Sequence, residues 1–450
     1  MEDAKRLWSD WQSLLRGFQP EFTRAGWVRF VDWVTGMVLC DEEHTITQIL
    51  TVLGLESHWR VAEAFAEYGA WNREAVERRL FQTIEASVPT DRDWGGYCVL
   101  AIDDTKEHRR APGVWGTSVF RHTSGRDRNR AKSVLAHNWV VAGRLVPGQP
   151  WTYLPCASRL YIRRESLPLG ETFATKNEMA VAMLRQADGD SRAPVLAVID
   201  GAFARASVLR PLLNPAPNRR RIDFITRPRL DARLYQPPVI AKSSRGGRPR
   251  KWGRRIAAPK NHEQWNTTWH RGRAYIYGRE RSFRYKRVLV QWAVTGAGDL
   301  VHAYVAEVEG YREPWYLICS ATQLSASDVV ARGAARFRQE DGFRDQKQRL
   351  GMEECRAWTK EPVLRTFQVQ LTAQSLLRLM EFHLDDVCGK ATWWSAPEWN
   401  RRKRHPSILD LRRLFWHHRH RFSQFMLRLE ELAKPPQAHF PAEGLSLQAG

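Results

Sequence analysis

The sequence predicts an α/β fold with a helical N-terminal region, an α/β core that contains a β-rich insertion, and a basic helical region at the end. Two apolar runs carry this prediction, because each suits a strand buried on both faces and each ends in an aspartate. Residues 97–102 precede Asp103, and residues 195–199 precede Asp200. In α/β sheets, functional groups collect at the carboxyl ends of strands. Asp103 and Asp200 are therefore candidate functional residues.

The other elements follow from hydrophobic periodicity. Apolar residues recur at helical spacing in the N-terminal region and again in residues 325–384, whereas residues 264–308 alternate or run apolar between glycine-containing turns. This pattern divides the chain into five predicted segments. They are a helical N-terminal domain at 1–90, the first part of the core at 91–225, a basic β-rich insertion at 226–320, the second part of the core at 321–390, and a basic helical region at 391–450.

The charge of the chain indicates a polyanionic partner. The formal net charge is +21 and the pI is near 10.1, and nucleic acid is the commonest partner of so basic a surface. A merely basic protein is the alternative, but the positive charge is clustered and 20 tryptophans are interleaved with it. Residues 219–255 alone hold thirteen Lys or Arg and two acidic residues. Residues 45–56 resemble a helix–turn–helix unit that docks on DNA, although an ordinary helical bundle fits them equally well.

Membrane and secreted classes are not indicated. The chain has no run of roughly eighteen apolar residues, and its first residues lack the basic-then-apolar layout of a secretory signal. The six cysteines form no CxxC or Cys/His spacing, which argues against a zinc site and favours a reducing compartment. We therefore expect a cytoplasmic protein.

A third carboxylate lies on a predicted helix. Metal-assisted phosphoryl transfer on DNA needs several carboxylates around paired Mg²⁺ ions, because these cations prefer oxygen ligands. Arg336, Glu340 and Lys347 stand at i, i+4 and i+11, which is nearly one stripe of a helix. An exposed helix with i,i+4 ion pairs is the alternative interpretation. Together with the two strand-ending aspartates, the stripe favours a site that holds metal and grips phosphate.

The segments around these acids resemble bacterial insertion-sequence DDE transposases of the cut-and-paste type. The C-terminal signature of that family is Tyr, two residues, Arg, three residues, Glu, six residues and Lys. Arg336, Glu340 and Lys347 fit this spacing, while Gly333 stands at the tyrosine position. The residues around Asp103 and Asp200 resemble the first and second aspartate motifs of the family.

The resemblance implies an RNase H-like catalytic core with the β-rich segment inserted between Asp200 and Glu340. It implies a DNA transposase with two Mg²⁺ ions, for which Mn²⁺ can substitute, that frees a 3′-OH at transposon ends and joins it to target DNA. By family transfer, Asp200 bridges the metals, Glu340 holds one of them, and Arg336 and Lys347 contact the phosphate beside the scissile bond. The implied partners are duplex DNA and a second copy of the chain in the DNA complex, at the nucleoid of a bacterial cytoplasm.

The first acid is a choice between neighbours. The Asp-x-Thr pattern common in such folds selects Asp103 with Thr105, whereas a gapless match to an Ile-Glu-Asp-Thr variant selects Asp104. Since neighbouring strand residues face opposite sides of a sheet, we expect only one of the two aspartates to be a primary metal ligand. We favour Asp103.

Further residues are candidates for DNA contact. Cations in the insertion loosely resemble a minor-groove arm and could contact the DNA backbone, as could one cation on the predicted helix, but the residues of the arm taken alone favour a solvated linker. Tryptophans of the insertion could stack a flipped base, as in relatives that form a hairpin end, although each also suits an ordinary core position. These candidates are Arg248, Arg250, Lys251, Arg344, Trp265, Trp269 and Trp292. Two other functions fit the same features: a catalytically inactive DNA-binding regulator derived from a transposase, and an RNase H-like nuclease of another type.

Overall fold

A computed structural model describes residues 2–88, 94–121, 133–148, 150–238 and 250–421. Within these ranges, no helix combines the length and the apolar character that crossing a bilayer requires.

The first part of the chain is helical. Side-chain caps fix where three of its helices begin, because Thr23, Thr45 and Asn72 each accept a hydrogen bond from a backbone N–H of the first turn. Large aromatic side chains, including Trp11, Trp27 and Phe30, fill the interior of this unit. The helices are α1 Glu2–Arg16, α2 Arg24–Leu39, α3 Ile46–Val52, α4 Trp59–Tyr68 and α5 Arg73–Ser87.

A mixed sheet follows, in which the first strand lies between the third and the fifth. The strands are β1 Cys98–His108, β2 Ser118–Arg121, β3 Ser133–Val146, β4 Thr152–Tyr161, β5 Val195–Ile199 and β6 Asp223–Thr226, and the helices between them are α6 Lys176–Asp190 and α7 Ala206–Leu213. β3 lies antiparallel to β1 on one side and pairs with β2 and β4, whereas β5 and then β6 run parallel to β1 on the other side. This arrangement is compatible with an RNase H-like fold.

The next strands extend the same sheet. They are β7 Leu234–Tyr235, β8 His270–Ile276, β9 Arg279–Trp292, β10 Leu300–Val308 and β11 Trp315–Cys319. β11 pairs antiparallel with β6, and β10, β9 and β7 follow in that order, with β8 paired to β9. The segment expected to be β-rich is therefore hydrogen-bonded directly to the strand that follows β5.

The helices that follow the last strand pack back against the sheet and the N-terminal helices. They are α8 Ala326–Ala335, α9 Phe337–Arg349, α10 Lys360–Cys388, α11 Lys390–Trp393 and α12 Ile408–His417. α10 packs against the N-terminal helices and the sheet, where Phe367 stacks on Trp139 of β3 with ring centroids 4.0 Å apart. α9 lies against β1 and β4. As a result, helices cover β1, and β1 continues past the first turn of α9 to end at His108.

Candidate active site

Asp103 and Asp200 are neighbours because of strand register. β1 and β5 run parallel, and Ile102↔Ile199 is their last pair, so the residues that follow it, Asp103 and Asp200, lie side by side. Asp200 follows the end of β5 and begins the short 3₁₀ helix Gly201–Phe203, whose Ala202 N–H donates to its carboxylate at 3.0 Å. Asp103 does not end its strand as the apolar run predicted, because β1 continues to His108 through its pairing with β3.

One guanidinium group lies close to three acidic side chains. Arg336 stands between α8 and α9, and its Nη1 donates to Asp103 Oδ2 at 2.9 Å. Its Nη2 donates to Glu340 Oε1 at 2.9 Å and lies 3.6 Å from Asp200 Oδ1. Asp200 and Glu340 thus approach the same nitrogen atom from different elements, and Asp103 approaches the neighbouring nitrogen.

Two residues of α9 that the sequence analysis did not single out fix the helix against the sheet. Gln339 donates to the carbonyl oxygen of Val141 at 2.9 Å and to the Tyr153 hydroxyl at 3.1 Å. Gly342 allows the close approach, because a Cβ there would lie 2.4 Å from the Tyr153 ring. A glycine inside a helix is a signal that could have been noticed, since it costs roughly 1 kcal/mol relative to alanine.

Asp104 faces away from the trio. Its Oδ2 accepts a hydrogen bond from Lys176 Nζ of α6 at 2.7 Å. The amide of Asn138, turned so that its nitrogen donates, completes this cluster with contacts of 3.0 Å to Asp104 and 2.8 Å to Lys176. The structure therefore separates the two candidate first acids, with Asp103 beside Arg336 and Asp104 in an ion pair with α6.

Burial and charge alter the protonation of this site. Burial raises the pKa of Asp103 to about 6, and the nearby Asp200 and Asp104 carboxylates act in the same direction against Arg336. Burial by itself would lower the pKa of Arg336, but the carboxylates of Asp103, Asp200 and Glu340 together raise it. Arg336 is therefore held in its charged form as the counter-ion of the acids.

Lys347 lies near the acids without touching them. Its Nζ donates to the carbonyl oxygen of Lys106 at 2.6 Å and lies 3.5 Å from Glu353. Of the predicted stripe, Arg336 and Glu340 thus belong to the cluster with Asp103 and Asp200. Lys347 instead contacts β1 three residues beyond Asp103.

The donor chemistry of the site suits a hard divalent cation. Three carboxylates supply only oxygen ligands, which Mg²⁺ prefers, and the cationic group among them shows that the space accepts positive charge. Among the described residues, no three His, Cys, Asp or Glu side chains are arranged closely enough to hold a metal ion as they stand. The three side chains therefore offer the ligand atoms that such a cation prefers. Arg336 has to move away before their oxygens can bind one metal ion.

A family model described as DDE superfamily endonuclease matches residues 17–286. The chain belongs to this family. Membership implies that the chain is a metal-dependent nuclease. The match includes Asp103, Asp104 and Asp200 and ends before α9, which carries Glu340. No curated protein matches the chain.

The tryptophans predicted to stack a base in this DDE superfamily endonuclease differ in exposure. Trp265 and Trp292 are 5% and 2% exposed, and the Trp265 indole donates to the carbonyl oxygen of Ala257 at 2.9 Å. Base stacking on these two would require them to leave the core, so their burial argues against it. Trp269 is half-buried, with Arg284 4.6 Å from its ring centroid.

The predicted backbone-contacting cations lie mostly on the surface of the DDE superfamily endonuclease. Arg250 and Lys251 are exposed. Arg344 is exposed as well and pairs with Asp341 at 2.7 Å. Arg248 lies outside the described residues.

Gly333, at the position of the signature tyrosine, faces the sheet. A Cβ there would lie 3.3 Å from both terminal methyl groups of Leu317 in β11. A larger side chain at this position of the DDE superfamily endonuclease would therefore require Leu317 to shift.

Proposed function

We propose that this endonuclease is a DNA transposase that cuts the ends of a mobile element and joins them to target DNA. The observation that carries the proposal is the convergence of Asp103, Asp200 and Glu340 on the Arg336 guanidinium. The three acids come from the middle of β1, the end of the parallel strand β5 and a helix packed against β1, which is a rigid support for catalytic groups. The spacing of Arg336, Glu340 and Lys347 adds the transposase signature.

In this proposal each residue of the site has its own role. Asp103, Asp200 and Glu340 would hold the divalent cations, which supply activation of water and neutralisation of phosphate charge. Arg336 exchanges its three carboxylates for the phosphate beside the scissile bond. Lys347, on the same stripe of α9, binds the backbone next to it. Asp104 stays paired with Lys176 and orients the end of β1.

The same proposal gives a role to each of the other segments of the chain. Residues 1–90 bind DNA, residues 91–225 and 321–390 form the catalytic core, and residues 226–320 are an insertion that lies along the DNA. The basic residues 391–450 add backbone contacts. Two copies of the chain act together on a pair of ends, in a bacterial cytoplasm and at the nucleoid.

The test is cleavage of a supercoiled plasmid that carries the DNA flanking the coding sequence. With Mg²⁺ we expect cuts within the flanks, and none when the metal is chelated. Glu340→Gln should abolish cutting and leave DNA binding intact, whereas Glu398→Gln, at an exposed position far along the chain from the trio, should cut normally. Undiminished cutting by Glu340→Gln would remove Glu340 from the site.

A second function has one observation in its favour. The acids are neutralised by Arg336, and as they stand no three of the described side chains form a metal site. A regulator that binds the same DNA without cutting it would keep this arrangement permanently. Sequence-specific binding to the flanks, with no Mg²⁺- or Mn²⁺-dependent cutting by the unaltered protein, would select this function.

A further inference from the structure

The hairpin between β8 and β9 turns on an unusual pair of residues. Ile276 pairs with Arg279, so Tyr277 and Gly278 alone form the turn, and both have positive φ, 46° and 88°. Such two-residue turns strongly favour Asn-Gly, because the first position requires a left-handed backbone. A bulky aromatic residue in this conformation is strained, and strain of this kind concentrates at functional sites.

Aromatic rings hold Tyr277 next to the acids. Its ring centroid lies 5.3 Å from that of Phe337, the residue that follows Arg336, and 5.9 Å from those of Tyr311 and Trp315. Despite these contacts Tyr277 remains 36% exposed. The tip of the hairpin is therefore fixed against the beginning of α9 with an accessible side chain.

The Tyr277 hydroxyl lies in a positively charged setting. Arg227 and Arg336 both act on the side chain through their positive charge. Arg227 directly follows β6, and its carbonyl oxygen lies close to Gly201, the residue after Asp200. Burial raises the pKa of Tyr277, so the phenol stays protonated at neutral pH and can donate a hydrogen bond.

We propose that the Tyr277 hydroxyl, together with Arg227, contacts a backbone phosphate of the DNA strand that is cut. This inference rests on the proposed function. Packing alone does not account for Tyr277, because the aromatic contacts need no hydroxyl and an asparagine would relieve the turn.

The test uses the full chain and a labelled duplex cut from the flanking DNA. Affinity is measured in the Glu340→Gln background, so that binding is read without cutting, and stability is measured by urea unfolding. Tyr277→Phe should weaken binding roughly tenfold, as expected for a lost hydrogen bond to a charged group, with unchanged stability. Tyr277→Asn should weaken binding at least as much and yet unfold at higher urea. Tyr275→Phe, on the same hairpin, is the matched control and should bind like its parent.

Two results overturn the inference: Tyr277→Phe binding within twofold of its parent, or a loss of affinity in Tyr277→Asn that accompanies a loss of stability. These results are separable from failure of the proposed function. If the unaltered protein cuts the plasmid and Glu340→Gln does not, the proposed function stands whatever Tyr277→Phe does. If the unaltered protein neither binds nor cuts the flanking DNA, both proposals fall.

Discussion

Arg336 and Asp103 are 233 positions apart in the chain, and their side chains meet at 2.9 Å. Because the same guanidinium also contacts Asp200 and Glu340, it occupies the space in which a divalent cation would have to bind. Under the proposed function, a metal ion would therefore compete with Arg336 for one set of oxygens in the DNA-free protein.

The first prediction concerns this competition. Arg336→Gln should raise the affinity of the DNA-free protein for Mn²⁺ roughly tenfold, because the acids lose their charged partner, and should still lower DNA cleavage, because the phosphate loses its contact. Calorimetric titration measures the first effect. Arg338→Gln, which removes the partner of Asp341 at 2.9 Å, is the control. Unchanged or weaker Mn²⁺ binding by Arg336→Gln would contradict the competition.

The second prediction separates the neighbouring aspartates. Asp104→Asn should lower the free energy of unfolding by about 1 kcal/mol, since it breaks a partly exposed ion pair with Lys176, and should keep Mn²⁺ binding. Asp103→Asn should lose most of the Mn²⁺ binding. Calorimetry and urea unfolding on the two variants decide the matter, and the reverse pattern would make Asp104 the metal ligand.

The third prediction concerns the missing tyrosine. Gly333→Tyr should lower the free energy of unfolding by about 1–3 kcal/mol, because the new side chain overpacks the contact with Leu317. Gly189→Tyr is a matched helical control, since a Cβ at Gly189 meets nothing within 4 Å. A stable Gly333→Tyr variant with increased cleavage would show that α8 can accept the residue after all.

The fourth prediction is a pH dependence of stability. Burial, followed by the charges of Lys390, Arg338, Arg404 and Arg378, lowers the pKa of His405 to about 4. The folded state thus binds this proton less readily than the unfolded chain, whose histidine pKa is about 6.5. The stabilising contribution is complete above pH about 6.5 and is lost as the pH falls towards 4.

Urea unfolding at several pH values measures this dependence. His405→Asn should show a shallower loss of stability between pH 6.5 and 4 than the unaltered protein. Identical slopes for the two proteins would mean that other groups account for the loss.

Part of this site could be predicted from the sequence because its signals are local. An apolar run specifies each strand, and β5 ends directly before Asp200 as predicted, whereas β1 continues past Asp103 to His108 because it remains paired with β3. The i,i+4 spacing of Arg336 and Glu340 specifies that they share a helical face, and in the structure they contact each other.

The other features of the site depend on which helices pack against each face of the sheet. Only the packing of α9 and α6 shows that Asp103 turns towards Arg336 and Asp104 towards Lys176. The exposure of Trp265 and Trp292 likewise depends on neighbours far along the chain, and so do the roles of Gln339, Gly342 and Tyr277. None of these relationships leaves a periodic pattern in the sequence.

The pairing of β6 with β11 limits how the protein can be shortened. The family match ends at residue 286, in the middle of β9, so truncation there would remove α9 with Glu340 and the partner that protects the outer edge of β6. A bare strand edge is a template for association with other chains. The later strands thus protect the edge of the earlier ones, and a chain trimmed before β11 to obtain a minimal nuclease should aggregate instead of folding as a smaller enzyme.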